Sequence, residues 1–173
     1  MGSFPGGTVV RVTPTLSTST YASGDLLFVA TKIPGAVSNR GGVSKLKAMF
    51  VLDSSDNSDA DNDIFFVFQE KEGTAAGSIN EPVNISSANL VENKVLGNAM
   101  MNAGHSGTAG SIVNSRIFYA FPAAGDGESS VPNLMLKADA GSTDVYVWAY
   151  LSGGTPDYAA DSLELIFHIE YLD

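Results

Sequence analysis

Apolar and polar residues alternate most clearly at the C-terminal end of the chain, in residues 163–171. The odd positions of this run are apolar: Leu163, Leu165, Phe167, Ile169 and Tyr171. The even positions carry Glu164, His168 and Glu170, with Ile166 as the exception. Because successive side chains of a strand point to opposite faces, this pattern predicts a strand with one buried face and one mostly wet face.

The run before it, residues 145–151, shows the same period with two apolar faces. One face would carry Val145, Val147, Ala149 and Leu151, and the other an aromatic row of Tyr146, Trp148 and Tyr150. Residues 152–157 (Ser-Gly-Gly-Thr-Pro-Asp) lie between the two runs and are rich in turn-forming residues. We therefore predict a closing hairpin over residues 143–171 that anchors the core.

Upstream, the chain breaks into short apolar runs separated by Gly, Pro, Ser and Asp. Strands are predicted at residues 8–13, 25–33, 44–52, 63–69, 83–85, 111–121 and 133–138, and one helix at 86–97. In the 44–52 strand, Leu46, Ala48, Phe50 and Leu52 should share one face. The 63–69 strand is apolar on both faces and should be central.

About eight strands with one short helix predict an all-β fold, a jelly-roll-like antiparallel β-sandwich. Residues 1–13 are expected to form a flexible N-terminal arm or an edge strand, and residues 14–173 a single β-sandwich domain. A parallel α/β fold is disfavoured because it needs helical crossovers between its strands.

Charge and composition narrow the functional classes. The 173 residues include nineteen acids and nine bases, a net charge of −10. Direct binding to nucleic acid or to anionic membranes is therefore not expected, since both require a basic surface. The chain has no cysteine, which removes disulfides, Cys–zinc sites and thiol catalysis. The N-terminal residues lack the basic and apolar regions of a signal peptide, so we expect none.

The acidic stretch from Asp53 to Asp63 is the strongest metal candidate. Asp59, Asp61 and Asp63 follow the 1-3-5 spacing of a calcium loop, and Glu70 falls at its twelfth position. However, Ile64 stands where an EF-hand requires glycine, and an apolar strand follows at once. This excludes an EF-hand and leaves two alternatives: a looser calcium site, or a solvated hairpin tip, which we favour. No metal site is assigned.

Histidine offers no catalytic site. His168 shares its strand face with Glu164 and Glu170, an arrangement open to a metal triad but more typical of the polar outer face of an antiparallel sheet. His105 lies in a Gly/Ser-rich stretch without a nearby acid, and no Gly-x-Ser-x-Gly elbow supports a serine triad. We therefore expect no enzyme activity and no cofactor.

The aromatic row admits three interpretations. Tyr146, Trp148 and Tyr150 could pack inside the sandwich, form a subunit interface, or stack on sugar rings. Packing or an interface is favoured over sugar binding.

Several short motifs carry a resemblance to a known group of proteins. They are Thr-Pro-x-Leu at 13–16, Thr-Tyr-Ala-Ser-Gly-Asp-Leu-Leu at 20–27, Gly-Gly at 41–42, Val-Leu-Asp at 51–53, Ile-Ser-Ser-Ala at 85–88, Leu-Lys-Ala at 136–138, Gly-Ser-Thr-Asp-Val-Tyr-Val at 141–147 and Gly-Thr-Pro-Asp-Tyr-Ala at 154–159. With them, the chain resembles small virion structural proteins of tailed bacteriophages over most of residues 13–172. Segments 98–110 and 121–132 are longer than in that pattern.

The resemblance implies a non-enzymatic particle protein, a capsid decoration or cement protein on the exterior of the phage head. It would be made in the host cytoplasm, bind the major capsid protein and form a homo-oligomer, with a trimer favoured. The alternative, from the aromatic row, is a carbohydrate- or receptor-binding knob of a tail or fibre.

Overall fold

The computed structural model describes residues 6–55, 62–102, 109–112, 115–122 and 134–172, and side chains are described throughout these ranges except at 109–112 and 121–122. Ten strands and one helix lie in the described residues. They are β1 (Gly7–Val12), β2 (Leu26–Ile33), β3 (Val43–Asp53), β4 (Asp63–Gln69), α1 (Ser87–Glu92), β5 (Val95–Asn102), β6 (Ala109–Ile112), β7 (Ser115–Pro122), β8 (Leu134–Lys137), β9 (Val145–Gly153) and β10 (Leu163–Tyr171).

The strands pair in a nested antiparallel order. β1 pairs with β10, β2 with β9, β3 with β8, and β4 with β5. Two further antiparallel pairs, β10 with β3 and β9 with β4, join these nested pairs into larger sheets. The result is a jelly roll, which confirms the predicted all-β antiparallel sandwich.

Two sheets face each other. Sheet I contains β1, β10, β3 and β7 in that order, with β8 beside the first half of β3 and β6 outside β7. Sheet II contains β2, β9, β4 and β5. The end of β7 also pairs with β5, so this strand crosses from one sheet to the other.

The main core lies between the sheets. Phe68 of sheet II meets Phe167 of sheet I edge to face, with ring centroids 6.1 Å apart and planes at 82°. Both rings are fully buried. The side chains that fill this layer from the paired strands include Met49, Val51, Ile64, Phe66, Val147, Leu151, Leu165 and Ile169.

The predicted closing hairpin is wrong in its pairing. β9 and β10 have the predicted buried faces, but β9 pairs within sheet II and β10 within sheet I. Nine residues separate the two strands, enough to cross the roughly 10 Å between packed sheets. Each strand therefore finds partners far away in the sequence.

The predicted helix at 86–97 is wrong in its second half. The Ser86 hydroxyl accepts a hydrogen bond from the Asn89 amide and caps α1, but the helix ends at Glu92. Lys94 takes a positive φ of 56°, and the chain continues as β5, which lies along β4. The predicted helix would have placed Leu90, Val91, Val95 and Leu96 on one apolar stripe, but Val91 is 78% exposed and does not face the core.

Two further predictions need correction. The predicted 111–121 strand is two strands, since β6 pairs antiparallel with β7 from Ile112 opposite Ser115. In β3, the predicted common face of Leu46, Ala48, Phe50 and Leu52 is interrupted. The register with β10 shifts between His168 and Ile169, and this bulge moves the buried positions from Leu46 to Met49 and Val51.

The central position of β4 is confirmed. It lies between β5 and β9. Its Ile64, Phe66 and Phe68 side chains belong to the main core, whereas Phe65 and Val67 belong to a second cluster on the outer face of sheet II. Both faces of β4 are therefore covered, as its unbroken apolar sequence predicts.

Candidate interaction surfaces

The aromatic row of β9 lies on the outer face of sheet II. Trp148 is only 4% exposed, while Tyr146 and Tyr150 are partly exposed. The Trp148 ring packs beside Tyr150 at a centroid distance of 6.2 Å. Its Nε1 donates a hydrogen bond to Oε1 of Gln69 at 3.0 Å. The indole is thus both packed and hydrogen-bonded.

The cover over this row comes from the chain itself. Trp148, Leu26 and Val67 form a second hydrophobic cluster with side chains from residues 76–90. Those covering side chains are Ala76, Val83, Ile85 and Leu90. Trp148 is therefore packed in the core with Tyr150 beside it, which agrees with the favoured interpretation and removes Trp148 as a platform for sugar rings.

Gln69 secures the polar edge of this second cluster. Its side chain is fully buried. Its Nε2 donates to the backbone carbonyls of Lys71 and Glu72 at 2.8 and 2.7 Å, while its Oε1 accepts from Trp148. The amide thus satisfies the indole and holds the chain that leaves β4, a role that no sequence motif signals.

The polar face of β10 lies on the outside of sheet I, as predicted. Each carboxylate there binds a side-chain cation: Glu164 contacts Arg11 at 2.8 Å, and Glu170 contacts Lys47 at 3.3 Å. His168 is exposed, and its ring lies 5.4 Å from that of Phe50. Among the described residues, no group of three or more His, Cys, Asp or Glu side chains is arranged to hold a metal ion.

An apolar strip crosses this same outer face. The cross-strand register places Ile166 opposite Phe50, and Phe50 opposite Tyr119. The Phe50 and Tyr119 rings meet at 5.4 Å. We call the outward apolar set the sheet I strip; it consists of Val9, Phe50, Leu52, Ile117, Tyr119 and Ile166. The arginine and lysine ion pairs of β10 flank it.

Exposure within the sheet I strip is uneven. Val9 on the edge strand β1 is 53% exposed, whereas Ile166 at the centre is 6% exposed. Phe50, Leu52, Ile117 and Tyr119 are partly exposed. The strip therefore consists of partly exposed apolar and aromatic side chains around the buried Ile166, with ion pairs beside it, and aromatic side chains of this kind are enriched at protein–protein interfaces.

The acidic stretch is described only at its two ends, and Asp59 and Asp61 lie outside the described residues. Asp53 is buried, and its Oδ1 accepts from the amide and hydroxyl of Ser55 at 2.8 and 2.6 Å. At the other end, Nδ2 of Asn62 donates to the Tyr158 hydroxyl at 3.4 Å. Burial and the nearby Asp53 carboxylate raise the pKa of Tyr158, so this hydroxyl stays neutral.

Asp63 and Glu70, the fifth and twelfth positions of the calcium-loop spacing, lie far apart in the structure. The two residues stand at opposite ends of β4, roughly 20 Å apart at the rise of an extended strand. Glu70 contacts Lys94 and Lys137, each at 3.1 Å, and Lys94 also contacts Asp139 at 2.6 Å. This distance removes the EF-hand ligand set, in agreement with the sequence analysis.

The lysine–acid cluster is electrostatically coupled. The hydrogen bond to Asp139 and then that to Glu70 raise the pKa of Lys94, and the same bond from Lys94 lowers the pKa of Asp139. The contacts join the residue after β4 to the α1–β5 turn, to the last residue of β8 and to Asp139 just beyond it. Their geometry indicates a structural link between the two sheets.

His105 lies outside the described residues, so the structure does not test the expectation that it belongs to no catalytic triad. The N-terminal segment from Gly7 forms β1 and pairs with β10 along its length. None of the described helices has the length and apolar character to cross a bilayer.

Comparison with known proteins returns little. No family model and no curated protein matches the chain. Among solved structures, the chain is similar to one from Desmodium yellow mottle tymovirus, with 12% identical residues over 98% of this chain and 82% of that chain. The TM-score is 0.23, at which the likeness carries no argument about fold or function.

Proposed function

We propose that this chain is a non-enzymatic structural protein of a tailed-bacteriophage virion, a decoration or cement protein on the exterior of the head. The observation that supports it best is the jelly roll itself, a fold used by viral capsid proteins. Because fold alone does not specify function, the motif resemblance over residues 13–172 is the necessary second support.

The electrostatics fit a protein that contacts other proteins rather than packaged DNA. The net charge is −10, and a surface of that sign repels phosphate. The proposed partner is the major capsid protein, and the proposed assembly is a homotrimer. A decoration protein of this kind acts by burying surface across neighbouring capsid subunits, which opposes the internal pressure of packaged DNA.

The carbohydrate-binding alternative loses its main support. That alternative depends on an aromatic row that stacks on sugar rings, and Trp148 is buried beneath residues 76–90. Only the partly exposed rings of Tyr146 and Tyr150 remain for such contacts. The decoration function is therefore the better candidate.

The test uses particles of the virus that encodes the chain. Heads purified without the protein should lose DNA at a lower temperature than complete heads, and added protein should restore the difference. Cryo-electron microscopy should place it at symmetry-related positions outside the shell. Density in the tail, or heads of equal thermal stability with and without the protein, would overturn the proposal.

The role of the N-terminus needs a matched pair of deletions. Deleting residues 1–13 removes β1 as well as the residues before it, so lost particle binding would be ambiguous. Deleting residues 1–5 keeps β1 and the hydrogen bond from the Tyr171 amide to the Gly6 carbonyl at 2.9 Å. If residues 1–5 contact a neighbouring subunit, deleting them should by itself weaken particle binding.

A further inference from the structure

Buried oxygen atoms without a hydrogen-bond partner gather at one end of the sandwich. Among the described residues there are four such side-chain oxygens: Oδ1 of Asn62, Oδ1 of Asp63, Oδ1 of Asn80 and Oγ of Ser162. Asn62, Asp63 and Ser162 adjoin the points where β4 and β10 begin. Because buried oxygens in native proteins nearly always meet a donor, a water or an ion, this grouping indicates a bound ligand.

Contacts across this end bring the residues of the two sheets together. In sheet I, Asp53 ends β3, and the amide and hydroxyl of Ser54 donate to the Ser162 carbonyl at 2.9 and 3.0 Å. From sheet II, Nδ2 of Asn62 donates to the Tyr158 hydroxyl at 3.4 Å. Burial and then the Asp53 carboxylate raise the pKa of this hydroxyl. Asp53 and Asn62 therefore face the same tyrosine.

The Asp63 carboxylate is placed by an irregularity at the start of β4. The register with β9 shifts between Asp63 and Ile64, and a bulge of this kind redirects the neighbouring side chain. The carboxylate packs against Gly153, where an added Cβ would lie 3.0 Å from Oδ2. A glycine at this position thus leaves room for the carboxylate, whose Oδ1 is buried without a donor.

The side chains at this end offer oxygen donors of the kind that calcium prefers. Asp53 and Asp63 supply carboxylates, and Asn62 supplies an amide carbonyl; Asp53 and Asn62 are only 2% and 3% exposed. Ca²⁺ takes roughly six to eight such oxygens in flexible geometry, whereas Mg²⁺ demands a near-ideal octahedron and dehydrates reluctantly. Softer metals favour nitrogen and sulfur ligands.

We propose that this end of the sandwich binds a calcium ion through Asp53, Asn62 and Asp63, with water completing the coordination shell. The ion would join the last residue of β3 in sheet I to the first residues of β4 in sheet II. Of the calcium-loop spacing in the sequence, this site keeps Asp63 but not Glu70, which follows the far end of β4. The inference is independent of the proposed function.

The test uses the full-length purified chain, stripped with EDTA and titrated with calcium chloride. Isothermal titration calorimetry should show a single calcium ion bound per chain, with a dissociation constant of about 0.1–1 mM, as in weak extracellular calcium modules. At about a hundredfold excess over that constant, calcium should raise the melting temperature by about 5–10 °C. EDTA should reverse the shift, and magnesium chloride at equal concentration should give much less of it.

Two substitutions should change calcium binding in opposite directions. Asp63→Asn keeps the shape of the side chain but removes its charge, and should weaken binding about tenfold or more. Asn62→Asp adds a carboxylate ligand and should tighten binding, while in EDTA it should melt below the wild type because it buries a further charge near Asp53. The matched control is Asp161→Asn, which removes a charge at an exposed position of the same end and should bind calcium like the wild type.

Three results would overturn the inference. The first is a wild type that shows neither binding heat nor a calcium-dependent melting temperature. The second is an equal loss of binding in Asp63→Asn and Asp161→Asn, which would indicate diffuse screening of an acidic chain. The third is wild-type binding in both Asp63→Asn and Asn62→Asp, which would place the ion elsewhere. Circular dichroism of each variant in EDTA confirms that it is folded.

Discussion

Substitution of Trp148 tests whether the aromatic row is core. The indole is 4% exposed, and its Nε1 donates to the fully buried Gln69 side chain. Truncating a buried tryptophan to alanine costs about 3–5 kcal/mol, and a buried acceptor left without a donor costs about 1–3 kcal/mol more. Trp148→Ala should therefore cost about 4–8 kcal/mol, a large share of an ordinary domain's stability of roughly 5–15 kcal/mol.

Trp148→Phe isolates the hydrogen bond. A phenyl ring keeps most of the packing but offers no N–H, so Oε1 of Gln69 loses its donor. We expect a loss of about 1–3 kcal/mol, which lowers the melting temperature by about 2–4 °C for each kcal/mol. The matched control is Tyr150→Phe, which keeps the neighbouring ring and should change stability by less than about 0.5 kcal/mol.

Unfolding should be followed by circular dichroism in urea, because Trp148 is the chain's only tryptophan and fluorescence would be lost with it. In the wild type, acrylamide should quench its emission poorly. Equal stability of wild type and Trp148→Phe, or efficient quenching, would refute the burial argument and reopen the row as a binding surface.

The remaining predictions concern other parts of the sandwich. Gly73→Ala should cost about 2–4 kcal/mol in urea denaturation, because φ is +60° there and an added Cβ would collide with the Asn93 amide that holds the backbone of Thr74; an unchanged midpoint would contradict this. Phe167→Ala should cost about 3–5 kcal/mol, since this buried ring joins the two sheets, and a loss below about 1 kcal/mol would contradict the packing. Lys94→Met should have a lower melting temperature than the wild type at neutral pH. Because Lys94 lowers the pKa of Asp139, the extra stability of the wild type is present above the ordinary carboxyl pKa of 3.8 and should shrink as the pH falls below it. Melting curves between pH 6 and about 2 check the sign, and a gap that widened on acidification would be inconsistent with it.

Local pattern predicted the strands well. The buried faces of β9 and β10 agree with the two-residue period, because alternation follows from the backbone of each strand alone. β4 was correctly placed at the centre of a sheet because its apolar residues leave neither face for water. The short strand β8 likewise buries Leu134 and Leu136 and exposes Met135.

Errors arose wherever a distant segment decided the outcome. Leu90, Val91, Val95 and Leu96 satisfy a helical stripe, yet pairing with β4 draws Val95 and Leu96 into a strand. The bulge in β3 is visible only against its partner β10. The cover over Trp148 comes from residues 76–90, where the predicted 83–85 strand is not formed and the start of α1 is the regular element.

By itself, the sequence determined an acidic, cysteine-free chain of antiparallel strands and the inward side chains of most of them. Only the tertiary structure decided which strands pair, which outer face the chain covers, and which carboxylates meet a lysine or arginine. The physical reason is one of range. Alternation is set by neighbouring residues, whereas partner choice depends on free-energy differences between pairings of segments far apart in the chain, such as β1 with β10.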